Sequence, residues 1–147
     1  MNLYLMRHAH AVTAEEDPTR PLSPRGRDDT RRIAEYFRAS GGLLPAQIWH
    51  SPLVRSRETA LLLTAALGLD PVLVETPGLL PEDDPDETAH RLADYPADHD
   101  LMLVGHEPHL SALATLLARG KPKPVIFKLR KGAIIALERG DQVHGKN

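Results

Sequence analysis

Short apolar runs alternate with helix-like segments along nearly the whole chain. Asn2 to Met6 (NLYLM), Gln47 to His50 (QIWH), Pro71 to Glu75 (PVLVE) and Leu101 to Val104 (LMLV) each have the length of a buried strand. Between them lie stretches with helical spacing and helix punctuation. Ser23-Pro24 supplies an N-cap and a proline at the first helical position. Ile33, Ala34 and Phe37 follow on one face, and Gly41-Gly42 stops the pattern. Ser51-Pro52 repeats the signal before Leu53, Ala60, Leu63 and Leu67, and Gly68 closes that helix. Asp84 and Glu87 fit a capping box, and this shorter helix stops near Tyr95-Pro96. Pro108 opens a last helix that runs through Leu117. Val125 to Leu129 and Ala133 to Leu137, around Lys131-Gly132, read as a hairpin or meander. Strands alternating with helices predict an α/β domain with a mainly parallel sheet and an antiparallel edge.

Composition sets the limits of this reading. With 147 residues, 41% of them apolar, the chain is expected to form a single domain over 1–147, with about 140–147 as a frayed tail. There is no Cys, hence no disulfide, thiolate metal cage or cysteine nucleophile. No apolar run is long enough to cross a membrane, and the N-terminus lacks the pattern of a secretory signal, so a cytoplasmic protein is expected. A net charge of −2 and 4% aromatic residues argue against nucleic acid as a partner.

In open parallel sheets, sites form beyond the carboxyl ends of the strands. Three places qualify: Arg7-His8, Ser51 to Arg57, and Gly105-His106. Neutral imidazole is a nucleophile toward phosphorus, and guanidinium matches phosphate oxygens with paired hydrogen bonds. Arg7, Arg55 and His8 are thus suited to hold a phosphoryl group and attack it. Arg55 falls in the first turn of its helix, where the backbone also favours an anion. His106 would face His8, and in protonated form stabilise the transferring oxygens. Arg57, two residues beyond Arg55, points elsewhere on the helix, so one of the two is expected to be a surface cation. His50, His90, His99 and His144 read as ordinary. A zinc site of His8, His10, His106 and His109 is the weaker reading, because Ala9-His10 begins a loop and no carboxylate pattern accompanies the imidazoles.

LMRHAHA (5–11), SPLVRSRETA (51–60) and LVGHEP (103–108), in that order, resemble the histidine phosphatase (phosphoglycerate mutase-like) superfamily. The short length and the TRPLSPRGR segment are similar to its SixA-like phosphohistidine phosphatase branch. The resemblance runs to about Leu117. It implies a three-layer α/β/α sandwich, no metal or other cofactor, and a phospho-His8 intermediate. It matches Arg7 and Arg55 to the phosphate-pocket arginines, His106 to the second histidine, and Arg20 to a basic residue of the loop after the first motif. The implied substrate is a phosphohistidine-carrying signalling protein. A small phosphate monoester is the alternative, and a non-catalytic phosphate-binding module is the rival. Ala9 stands where the family commonly has glycine. Larger relatives use a carboxylate as general acid; the local candidates are Glu82 and Asp83, in LLPEDDP. A weak or missing acid would favour phosphohistidine, whose imidazole leaves more readily than an alkoxide.

Overall fold

The computed structural model describes residues 1–139. The expected frayed tail and His144 lie outside the described residues. The strands are β1 (Asn2–Arg7), β2 (Gln47–His50), β3 (Val72–Glu75), β4 (Leu101–Gly105) and β5 (Ile134–Glu138). The helices are α1 (Pro24–Ser40), α2 (Val54–Leu67), α3 (Pro85–Ala93) and α4 (His109–Arg119). The sheet order is β3-β2-β4-β1-β5. The β1–β4, β4–β2 and β2–β3 pairs are parallel, and β5 adds to β1 antiparallel.

Side chains alternate across the sheet with period two, and the core divides accordingly. Leu3, Leu5, Trp49, Leu101 and Leu103 face Leu92 of α3 and Leu110 and Leu113 of α4. Tyr4, Met6, Ile48, Met102 and Val104 face Ala34 of α1 and Ala60, Leu63 and Leu67 of α2. β1 and β4 are therefore buried on both faces, which is why they read as unbroken apolar runs. The result is the three-layer α/β/α sandwich of the phosphoglycerate mutase-like fold.

The β1–α1 connection is held at its base. Ala11 bridges to Leu22, Val12 N–H bonds the Pro21 carbonyl at 2.9 Å, and Leu22 N–H bonds a Glu58 carboxylate oxygen at 2.8 Å. The Ser23 hydroxyl caps α1 by accepting from Gly26 N–H at 3.0 Å. Gly26 is pressed against the backbone that follows His8. A Cβ there would lie 2.1 Å from the His10 carbonyl oxygen. Gly26→Ala is expected to destabilise the protein by about 1–3 kcal/mol, because neither backbone can yield without shifting a packed element. Thermal denaturation checks this, with a fall in Tm of several degrees expected.

Two expectations about elements are corrected. Val125 to Leu129 forms no strand, so β5 has no hairpin partner there. The segment's donors are taken by side chains: Ile126 N–H bonds Thr115 Oγ1 at 3.1 Å and Leu129 N–H bonds Glu107 Oε2 at 3.2 Å. Its consecutive Val, Ile and Phe belong to a strap tied to α4 at Thr115, with Val125 and Ile126 exposed. Ser51 is likewise not the N-cap of α2. The helix starts at Val54, Leu53 occupies the cap position without a side-chain bond, and the Ser51 hydroxyl is engaged elsewhere. No helix among the described residues is long and apolar enough to cross a membrane.

Candidate active site

Parallel pairing sets Met6 opposite Val104 and Arg7 opposite Gly105. One further bond continues the ladder, from His8 N–H to the Gly105 carbonyl at 2.9 Å. His8 and His106 thus follow the ends of neighbouring strands in register. Neighbouring strands lie about 4.8 Å apart, and the two ring centroids are 5.1 Å apart with their planes tilted by 52°. Both rings are buried, His8 at 5% and His106 at 2% exposure.

The backbone fixes the tautomer of His8. Its Nδ1 lies 2.7 Å from the Ala9 carbonyl, which can only accept, so Nδ1 carries the proton. Nε2 keeps its lone pair. Burial lowers the pKa of His8 to about 4, the Ala9 carbonyl opposes this, and Arg55, Arg7 and Arg20 push it down further. The ring is therefore neutral across the physiological range. Ala9, at the position commonly held by glycine, keeps an ordinary backbone: Arg20 is the only non-glycine residue with positive φ among those described. The Ala9 N–H is held by Thr59 Oγ1 at 3.1 Å, and that hydroxyl donates to the Arg55 carbonyl at 2.7 Å. α2 is thus tied to the loop that carries His8.

Three arginines surround this ring. Arg7 donates through NH1 to the Leu129 carbonyl at 3.0 Å. The Nε atoms of Arg7 and Arg55 are buried without a protein partner among the described residues. Buried donors of this kind are rare unless a ligand or water meets them. Arg55 sits in the first turn of α2, and burial and the charge of Arg20 lower its pKa from the usual value. Arg20 adopts φ 49°, and its Nε donates to the Val12 carbonyl at 3.0 Å. That backbone turn and anchor belong to a side chain whose charge reaches both Arg55 and His8. Arg57 is exposed, apart from this group.

His106 is neutral here, where the sequence reading has it protonated. Burial, then His8, Arg55, His109 and Arg7, push its pKa down to about 3. The four motif histidines do not converge. His10 Nδ1 bonds Ser23 Oγ at 2.7 Å, and His109 Nε2 lies 3.3 Å from Thr88 Oγ1. Among the described residues, no group of three or more His, Asp or Glu side chains is arranged to hold a metal ion.

The acid candidates are not brought to the histidines by any hydrogen bond. Asp83 folds back on its own turn, accepting Leu80 N–H at 2.8 Å, and its charge acts on His109. Glu82 is exposed. Glu107, adjacent to His106 in sequence, accepts from Ser111 N–H and from the Ser111 hydroxyl as well as from Leu129 N–H. Sequence reasoning missed three supports: Ser51 on His106, Thr59 under Ala9, and Glu107 behind the Leu129–Arg7 contact. Ser51 and Thr59 lie within the SPLVRSRETA motif, so their presence was visible but not their bonds. The Glu107 link depends on the strap and left no local signal.

Two facing neutral imidazoles and three cations, at the carboxyl edge of an α/β sandwich, define a protein built to handle a tetrahedral oxyanion such as phosphate. The chain belongs to the histidine phosphatase superfamily (branch 1), which matches residues 3–79. An uncharacterized protein of Picosynechococcus, SYNPCC7002_A2622, is 36% identical over 146 residues, covering 95% of this chain and 86% of the relative. The protein histidine phosphatase SixA, solved with tungstate, has the same fold at 23% identity and a TM-score of 0.80, over 92% of this chain and 86% of that one. The alpha-ribazole phosphatase of Shigella flexneri matches at 17% identity and a TM-score of 0.78, over 97% and 92% of the two chains. Family and fold support a phosphatase. The neighbours differ in what they act on.

Proposed function

We propose that this protein removes the phosphoryl group from phosphohistidine on a partner protein, with His8 as the nucleophile. The observation that carries this choice of substrate is the charge around the imidazoles. Arg55, Arg7 and Arg20 weigh on His8, and His8, Arg55, His109 and Arg7 weigh on His106, while Asp83 is bonded into its own turn and Glu82 is exposed. A site of that kind binds a phosphoryl dianion strongly but offers no acid to an alkoxide leaving group.

The steps follow from the tautomers. The Nε2 lone pair of His8 attacks phosphorus in line, and the phosphorus–nitrogen bond to the substrate imidazole breaks. The distal nitrogen of the substrate ring carries a proton, so the ring departs as neutral imidazole. The phosphorylated His8 holds its Nδ1 proton against the Ala9 carbonyl. Water then forms the new phosphorus–oxygen bond, its proton goes to the phosphate, and His8 returns to its starting form. Arg7 and Arg55 hold the oxygens, His106 adds a hydrogen bond, and Arg20 closes the pocket. No step uses a metal or other cofactor. SixA, a protein histidine phosphatase with the same sandwich, supports the substrate class.

The test is phosphate release by EDTA-treated protein from phosphohistidine and from an alkyl phosphate. Expected is a preference of at least roughly 100-fold in kcat/KM for the phosphoramidate, because general acid catalysis contributes about 10²–10⁴-fold where it is required. Glu82→Gln and Asp83→Asn are expected to change either rate by less than about two-fold, since neither carboxylate is tied to the histidines. Comparable turnover of both compounds, lost in Glu82→Gln, would make the protein a monoesterase. Phosphate binding without turnover of either would make it a binding module.

A further inference from the structure

The hydroxyl of Ser51 is completely buried and lies 2.7 Å from His106 Nε2. It also accepts the Leu53 N–H at 3.2 Å. The Ser51 backbone N–H is satisfied separately, by Ser56 Oγ at 3.0 Å, and that hydroxyl donates to the Val104 carbonyl at 2.7 Å. Ser56 is therefore spent on the backbone, and among the described residues the Ser51 hydroxyl proton has one hydrogen-bond acceptor, the Nε2 of His106.

Two proton arrangements fit the short contact, and they are not equivalent. If Nε2 carried the hydrogen, Ser51 Oγ would accept from both Nε2 and Leu53, and its own proton would be buried with no acceptor. A buried donor left unmade costs about 1–3 kcal/mol. If the hydroxyl donates, each hydrogen around Ser51 is used, and the imidazole proton sits on Nδ1. That Nδ1 is buried and has no protein partner among the described residues. It belongs to the ring that faces His8 across 5.1 Å.

We infer that Ser51 is a positioning residue that locks His106 as its Nδ1–H tautomer, so that the neutral ring presents a hydrogen-bond donor to an oxygen of the transferring phosphoryl group. The opposite tautomer would turn a bare nitrogen lone pair toward that oxygen and repel it. The low pKa of His106 agrees with this arrangement, because a ring that stays neutral must obtain its donor from the tautomer rather than from protonation. The same logic operates on His8, with the roles exchanged. There a carbonyl takes the Nδ1 proton and exposes Nε2 as a nucleophile; here a hydroxyl caps Nε2 and exposes Nδ1 as a donor. Two identical side chains thus acquire opposite functions from the one backbone or hydroxyl group that each touches. The inference rests on the phosphatase reading for its catalytic consequence, but the tautomer itself stands apart from turnover.

The test begins with the wild-type protein and needs no variant. Long-range proton–nitrogen correlation spectra of uniformly ¹⁵N-labelled protein near neutral pH report which ring nitrogen is protonated. Expected for His106 is a protonated Nδ1 and an unprotonated Nε2, with the Nδ1 signal shifting and its proton exchange slowing on addition of inorganic phosphate. A protonated Nε2, or an Nδ1 indifferent to bound phosphate, would overturn the inference. In Ser51→Ala the nitrogens are expected to show mixed tautomers, and kcat on phosphohistidine to fall roughly 10-fold with a smaller change in KM. Ser51→Cys keeps a weak donor and is expected to fall between the two. Unchanged kcat and an unchanged tautomer in a folded Ser51→Ala would sink the positioning role. Should Ser51→Ala fail to fold, the wild-type spectrum decides. No turnover of phosphohistidine by the wild type, with the predicted tautomer present, would reject the phosphatase reading while leaving the role of Ser51 in place.

Discussion

His8→Ala is expected to abolish phosphohistidine turnover, by at least roughly 10⁴-fold, while leaving the affinity for inorganic phosphate within a few-fold of wild type. The two readouts separate because the attacking lone pair and the binding cations belong to different residues. Arg7 reaches the site with its NH1 already held by the Leu129 carbonyl, and Arg55 is carried by the first turn of α2. Neither anchor depends on the imidazole. Acid quenching would destroy the expected intermediate, so wild-type protein is quenched in base and examined for phosphate on His8. Residual turnover in His8→Ala within 100-fold of wild type would require another nucleophile.

The same imidazole sets a pH dependence whose sign is determined. His8 titrates near 4 in the folded protein, against an ordinary 6.5. Its nucleophilic form is therefore retained as pH falls from 8 to 5, and the acid limb of kcat/KM due to His8 lies near pH 4. Stability behaves differently. Between pH 6.5 and 4 the unfolded chain takes up a proton that folded His8 refuses, so stability falls as pH falls through that window. His106, pushed down to about 3, adds to the same trend. For His8 the loss is on the order of 3 kcal/mol by pH 4. In His8→Ala the protein is expected to lose less of its Tm between pH 6.5 and 4 than wild type does. An equal acid sensitivity of the two proteins would count against a buried neutral ring.

Arg55→Ala is the second large effect. Turnover is expected to fall by about 10²–10³-fold, the scale for removing one donor from a site that stabilises developing charge. Arg55→Lys restores little, because an ammonium cannot supply the planar, paired donors of guanidinium. Arg57→Ala, on the exposed side of the same helix, is the control and stays within about two-fold. Stability moves the other way. Arg55 and Arg7 weigh on both imidazoles, and the charge of Arg20 weighs on His8 and on Arg55 itself. Removing one cation relieves that repulsion, so the Tm of Arg55→Ala is expected to equal or exceed that of wild type. A fall of many degrees would mean that Arg55 supports the fold rather than the chemistry.

Much of the sandwich was legible because its central strands are buried on both faces. The runs NLYLM and LMLV have no polar side, and only a parallel sheet covered by two helical layers accommodates such strands. The edge was harder to read. Val125 to Leu129 has the composition of a strand, yet strand pairing depends on which donors remain free, and Thr115 and Glu107 had claimed two of them. Ser51 was misread for a related reason. Ser-Pro before an apolar face is a sound local helix start, but a hydroxyl bonds whichever partner the fold delivers, and here that is His106, just beyond the end of β4.

The sequence alone determined which residues stand at the carboxyl ends of the strands, since strand length and side-chain alternation are local properties. That was enough to single out Arg7, His8, Arg55 and His106 as candidates and to indicate the family. Only the tertiary structure decided the protons. The Ala9 contact of His8 and the Leu80 contact of Asp83 are bonds between near neighbours, but the partner of His106 Nε2 and the burial that keeps both rings neutral depend on residues distant in the chain and on exclusion of water. Those are properties of packing, and no window of residues along the chain contains them.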